Sequence, residues 1–294
     1  MIIGGSQQEV VRNIKEAVRQ QQFHAKVEPS DPKLTSAESQ QVIDEFWKNK
    51  QSARGRFNNH LARGFANAAS YWLNLQTEFS GLNKLKQVTG AAILTTNHFN
   101  PFENTAIRVA IRRAGRKHLY IVSQETNCLA TGLLGFLFNN YDILPIVSQQ
   151  KNFEYMGREF PRHLQSVMAQ GEIVMIYPEQ EMWLNYRKPR PPQRGAYYYA
   201  ARFQVPIISC FNELIDTGKK DNDEFNKTRM HLHILDPIYP DPNLSVRDCS
   251  LKMRDQDYRQ KVAAYEQAFH EPLTYQWEAN DIVGWRLTND EQDR

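Results

Sequence analysis

The sequence predicts an α/β fold: a mainly parallel central sheet flanked by helices, with a helical N-terminal extension. Two observations predict it. From residue 88 onward, short β-branched runs alternate with helical stretches, an order that builds a parallel sheet with helices on its faces. Before that point the chain shows only helical periodicity, with apolar residues three and four apart. The expected division is a helical extension over 1–80 and an α/β domain over 81–294.

The elements follow in order. "SQQEVVRNIKEAVRQQQ" opens with Ser6 and Glu9 at capping-box spacing and places Val10, Val11, Ile14, Ala17 and Val18 on one stripe. "TSAESQQVIDEFWKNK" repeats the device with Thr35 and Glu38, ahead of Val42, Ile43, Phe46 and Trp47. A third helix, over about 56–77, carries Phe57, Leu61, Phe65, Tyr71, Trp72 and Leu75. Strands are expected in "AAILTT", "HLYIVSQ", "YDILPIV", "EIVMIYP", "VPIISCF" and "RMHLHILDPI". Helices are expected in "ENTAIRVAIRRAG", over 152–170 and 194–204, and in "LKMRDQDYRQKVAAYEQAFHEPL".

Composition narrows the function. At 294 residues, 41% hydrophobic and 23% charged, the chain has the make-up of a globular protein with a sizeable core. A formal charge of +3 is too small to draw in nucleic acid, so no nucleic-acid partner is expected. Cys128, Cys210 and Cys249 lie far apart with no CxxC pair, which argues against disulfides and zinc and fits a reducing cytosol. The first residues lack the pattern of a signal peptide. The longest apolar run, "CLATGLLGFLF", falls short of the ~20 residues a membrane span needs.

Two stretches carry chemistry. In "TTNHFNPFENTAIR", His98 falls where a strand ends and a helix is about to begin, the edge at which α/β sheets bind ligands. A histidine base needs a partner to fix its tautomer and favour the imidazolium, and Glu103 is placed to be one. Glu103 serves equally as a helix-start residue that interacts with the macrodipole. The second stretch, "MIYPEQEMWLNYRKPRPPQRGAYYYAARF", sets Glu179 at a strand end and follows it with Arg187, Lys188, Arg190 and Arg194. Its prolines hold the basic run extended, and four cations there make either a phosphate clamp or a solvated basic loop.

Together these stretches resemble the glycerolipid acyltransferases of the lysophosphatidic acid and glycerol-3-phosphate acyltransferase superfamily. That family's Asn-His-x4-Asp motif stands here as "NHFNPFE", a His-x4-Glu variant. Its Phe-Pro-Glu-Gly-Thr-Arg motif stands as "YPEQEMW", and its Val-Pro-Ile block as "VPIISC" after "RGAYYYAA". The order agrees over about 88–240. Three departures matter. Glu103 replaces aspartate; Ser148, with Lys151 nearby, replaces the arginine of the second motif; Gln180, Glu181 and Met182 replace Gly-Thr-Arg.

The resemblance implies that His98 deprotonates an acceptor hydroxyl and that Glu103 orients it. Glu179 would order the loop or bind acceptor hydroxyls, and Arg187, Lys188, Arg190 and Arg194 would hold a phosphate. The implied reaction transfers a fatty acyl group from an acyl-CoA or acyl-carrier-protein thioester to a glycerolipid precursor, 1-acyl-glycerol-3-phosphate, in phospholipid biosynthesis. The competing reading is a catalytically impaired relative that binds lipid. No cofactor is expected beyond the acyl-CoA or acyl-carrier-protein co-substrate, and no acyl-enzyme is needed.

No metal is expected either, because nothing acidic accompanies His231 and His233 at a useful spacing. Tyr197, Tyr198 and Tyr199 read as helix packing. Lys48, Lys50, Arg54, Arg56 and Arg63, interleaved with Phe57, Leu61, Phe65 and Trp72, read as a helix that lies on an anionic membrane or packs on the sheet. The expected location is cytoplasmic, peripherally associated with the membrane surface.

Overall fold

The strands are β1 (Glu78–Ser80), β2 (Ala92–Thr95), β3 (Leu119–Gln124), β4 (Ile143–Ile146), β5 (Ile173–Ile176), β6 (Ile207–Lys220) and β7 (Asn226–Ile234). They form one seven-stranded sheet, ordered β1-β7-β6-β2-β5-β3-β4 in this computed structural model. It describes residues 7–29, 32, 34–147 and 152–286. Neighbours are parallel except β6 and β7, so the sheet is mainly parallel, as the alternation predicts. Every strand expected from the sequence is present. The three-residue β1 was not expected, since it draws its ladder bonds from β7 rather than from any local pattern.

The helices are α1 (Gln7–Arg19), α2 (Ser36–Gln51), α3 (Ala53–Leu73), α4 (Leu82–Gln87), α5 (Glu103–Arg113), α6 (Gly132–Asn140), α7 (Phe160–Ala169), α8 (Gly195–Phe203) and α9 (Val246–Phe269). The capping box at the start of α2 forms as expected, with Thr35 Oγ1 accepting from Glu38 N and Glu38 Oε2 from Thr35 N. Ser6, the proposed cap of α1, lies outside the described residues, as do Ser148 and Lys151.

Alternation within the strands divides the core between two faces. Ala92, Leu94, Ile173 and Met175 point to one face, where they meet Ala106, Ile107, Ala110 and Ile111 of α5 and Ala62 and Ala66 of α3. Ile93 and Val174 point to the other, against Leu164 of α7, Ala196 and Tyr197 of α8, and Met253 of α9. A third cluster joins Val10, Val11 and Ile14 of α1 to Trp183, Leu184 and Tyr186, in the loop after β5. Strands β2 and β5 are neighbours in register, with Thr95 opposite Ile176. The residues that follow them, Thr96–His98 and Tyr177–Glu179, therefore emerge side by side at one edge of the sheet.

Candidate active site

At that edge Asn97 continues the ladder after β2 has ended. Its Nδ2 donates to Asn212 O at 3.0 Å, and its Oδ1 accepts from Asn212 N at 2.8 Å. His98 follows in the loop before α5, and its main chain is pinned from two sides. His98 N donates to Glu179 Oε2 at 3.1 Å, and Trp183 N donates to His98 O at 3.1 Å.

Glu103, the first residue of α5, is fully buried and turns back into the loop. Its Oε2 accepts from Phe99 N at 2.7 Å and from Asn100 N at 2.9 Å, while Oε1 takes a short hydrogen bond with His98 Nδ1. A helix-start carboxylate and a histidine partner, alternatives in the sequence, are here the same group. Tyr177 stacks on the imidazole, with ring centroids 3.8 Å apart and planes 14° from parallel. Its phenol lies well above the ordinary tyrosine range, because the hydroxyl is buried and Glu103 stands beside it. The ring is thus fixed on one face and at Nδ1, and no described residue hydrogen-bonds Nε2. A histidine held this way presents one nitrogen to whatever occupies the sheet edge, with its side chain 18% exposed.

Glu179 is not free to bind an acceptor. It is buried, and its oxygens take Arg190 N at 2.9 Å, Arg190 Nε at 3.1 Å and His98 N. Of the two roles open to it in the sequence, the geometry fits ordering of the loop.

The basic run corrects the expected clamp. Arg187, Lys188 and Arg190 are buried rather than solvated, each committed to internal partners. Arg190 pairs with Glu179, donates to Phe23 O at 2.9 Å and lies over the Trp183 ring. Lys188 Nζ sits 2.7 Å from Asp281 Oδ1 and donates to Gln276 O at 2.9 Å. Arg187 Nη2 is 2.8 Å from Glu271 Oε1, and its guanidinium lies over Phe269. Burying charge demands such pairing, and the carboxylates come from far along the chain. Arg194 alone of the four is exposed with no ion pair among the described residues; it stands just before α8, beside Gln193, whose N donates to Pro178 O.

Sequence reasoning did not single out Asn97, Tyr177, Trp183 or Asp281. Asn97 and Tyr177 lie inside the quoted motifs and could have been found there; Asp281 carries no local signal. Burial pushes both the Cys128 and Cys210 thiols up to about 12, which makes them poor nucleophiles.

Gln180 marks a strained turn. It adopts φ 66°, the left-handed region, at the position where the resembled motif has glycine. Its side chain is exposed, so Gln180→Gly loses no packing. Relief of left-handed strain, less the entropy of a new glycine, should stabilise the protein by roughly 0.5–1 kcal/mol. Urea denaturation measures this, and a lower midpoint would show that the turn carries no such strain.

Helix α3 borders the site. Asn74, just past its end, donates through Nδ2 to Thr105 Oγ1 at 2.8 Å in the first turn of α5. The core-facing side of α3 holds Gly55, Ala62, Ala66 and Ser70. Its opposite side leaves Phe57 64% and Trp72 70% exposed, with Leu61 and Phe65 between them. Arg54 and Arg56 are exposed, whereas two of the five expected surface cations turn inward. Arg63 Nε pairs with buried Asp142 at 2.6 Å. Lys50 donates to Asn140 O at 2.8 Å and to Tyr141 O, and burial pulls its pKa down to about 8.

No curated protein matches the chain by sequence. The crystal structure of the 1-acyl-sn-glycerophosphate acyltransferase PlsC from Thermotoga maritima superposes with a TM-score of 0.46 at 11% identity, covering 91% of this chain and 98% of that one. The family model described as Acyltransferase matches residues 76–212, which run from just before β1 into β6. This segment, just under half of the chain, contains His98, Glu103 and Glu179, and over it the chain is similar to the acyltransferase family.

Proposed function

We propose that the protein transfers a fatty acyl group from an acyl-CoA or acyl-carrier-protein thioester to the hydroxyl of a glycerolipid precursor, 1-acyl-glycerol-3-phosphate. One observation carries this reading: within the acyltransferase segment, Glu103 holds His98 Nδ1 while Nε2 is left open at the sheet edge. Nε2 takes the acceptor hydroxyl proton as its oxygen attacks the thioester carbonyl. Glu103 stabilises the imidazolium that forms. The carbon–sulfur bond then breaks, and the departing thiolate recovers the proton from Nε2 as free thiol. No cofactor enters this sequence, and no acyl-enzyme forms.

With three of the four cations committed internally, Arg194 is the candidate for the acceptor phosphate. Labelled acyl-CoA and acyl-carrier protein offered with phosphorylated and unphosphorylated acceptors test the reading. Arg194→Gln should raise KM for 1-acyl-glycerol-3-phosphate and leave KM for the donor unchanged. Equal use of unphosphorylated acceptors would remove the phosphate from the proposal.

The acceptor resides in a bilayer, and no helix among the described residues is long and apolar enough to cross one. The exposed apolar side of α3, flanked by Arg54 and Arg56 and ending near α5, supports contact with an anionic membrane surface. At about 1 kcal/mol per cation before screening, Arg54→Gln with Arg56→Gln should weaken vesicle binding roughly 30-fold at low salt. Flotation with vesicles rich in anionic lipid reads this out. Binding unaffected by the double change would move the contact elsewhere.

A further inference from the structure

Glu213, His231 and His233 stand together on one face of the antiparallel β6–β7 pair. Glu213 lies directly across from His231, and His233 follows two residues on, so the pleat turns all three side chains the same way. The strand pairing thus supplies the acidic partner that linear spacing concealed. His233 Nε2 is 2.7 Å from Glu213 Oε2, and His231 Nδ1 is 3.3 Å from the same oxygen. Among the described residues this is the group of histidine, cysteine and acidic side chains whose donor atoms converge, all within 4.8 Å of one another. The side chains are 12–22% exposed, sheltered yet open to an entering ion.

We propose that Glu213, His231 and His233 bind a divalent transition metal of the zinc class, with a coordination position left for water. Two imidazoles and one carboxylate suit a borderline-soft ion, whereas magnesium and calcium favour shells of oxygen. Tetrahedral ligands at about 2.0–2.1 Å from zinc stand about 3.3–3.4 Å apart. The His231–Glu213 separation already has that value, and the His233–Glu213 contact must open by only about 0.6 Å to reach it.

An outer partner is in place as well. Ser80 Oγ, on β1, is 2.7 Å from His231 Nε2. In the tautomer whose Nε2–H donates to Ser80, Nδ1 turns its lone pair toward Glu213, the arrangement that orients metal-bound histidines. Ligands from β6 and β7 with an outer contact from β1 would make the ion a tie across three strands. It would steady β1, which has only three ladder positions on β7.

Calorimetric titration of untagged, chelator-treated protein with zinc chloride tests the proposal. A single saturable site per chain is expected, with visible absorption of a tetrahedral ion when cobalt replaces zinc. Ser80→Ala should weaken zinc binding about 10-fold, at the lower end of outer-partner effects, and His233→Ala or Glu213→Gln by more than about 100-fold. Zinc should raise the melting temperature of the parent protein but not of His233→Ala, both checked as folded by circular dichroism. Absence of saturable binding would overturn the proposal. So would binding that His233→Ala and Glu213→Gln leave intact, since the ion would then sit at another pair such as His118 and Glu172.

Discussion

His98→Ala is expected to lower acyl transfer by roughly 10²–10⁴-fold, the range that general-base catalysis supplies. Stability should change little by comparison. The side chain is partly exposed, and among the described residues it stacks on Tyr177 and hydrogen-bonds to Glu103. Glu103→Gln should follow in the same direction, but it touches more than the imidazole. Glu103 also accepts from two loop peptides, so a carboxamide there sets an N–H against N–H donors unless it turns its oxygen to the loop. In that orientation its NH₂ faces Nδ1, and the imidazolium loses its counter-charge. A His98→Ala protein that kept more than about a tenth of the parent rate would remove His98 as the base.

Arg190→Ala is expected to destabilise the protein by about 3–5 kcal/mol, the penalty for leaving one partner of a buried ion pair alone. Among the described residues, the Glu179 carboxylate would keep its bonds from His98 N and from the main chain of residue 190. Two loops would also lose their tie, since Arg190 reaches Phe23 O on one side and His98 O on the other. Equilibrium urea denaturation gives the stability change. A loss below about 1 kcal/mol, the value of an exposed pair, would place Arg190 outside the structural role assigned to it. Because Glu179 holds the His98 peptide, activity should fall along with stability.

The strand–loop–helix around His98 was legible because its signals are local. A β-branched run, a polar Asn-His step and a proline ahead of a periodic helix all lie within a few residues. The basic run was misread for the opposite reason. Three prolines and four cations look solvated in one dimension, yet Asp281 and Glu271, which neutralise Lys188 and Arg187, arrive from the far end of the chain. The same holds for Arg63, whose partner Asp142 precedes β4, and for Glu213, whose relation to His231 exists only through strand register. Periodicity reports which face of an element is apolar. It does not report which charges a tertiary fold brings together.

Free-thiol release measured beside labelled ester product is the most direct test that His98 catalyses transfer straight to an acceptor hydroxyl. The parent protein should release thiol only when acceptor is present, in equal amount to new ester, with no acyl adduct on the protein by mass spectrometry. Thiol release and a stable acyl adduct in the absence of acceptor would contradict this mechanism, as would undiminished release by His98→Ala.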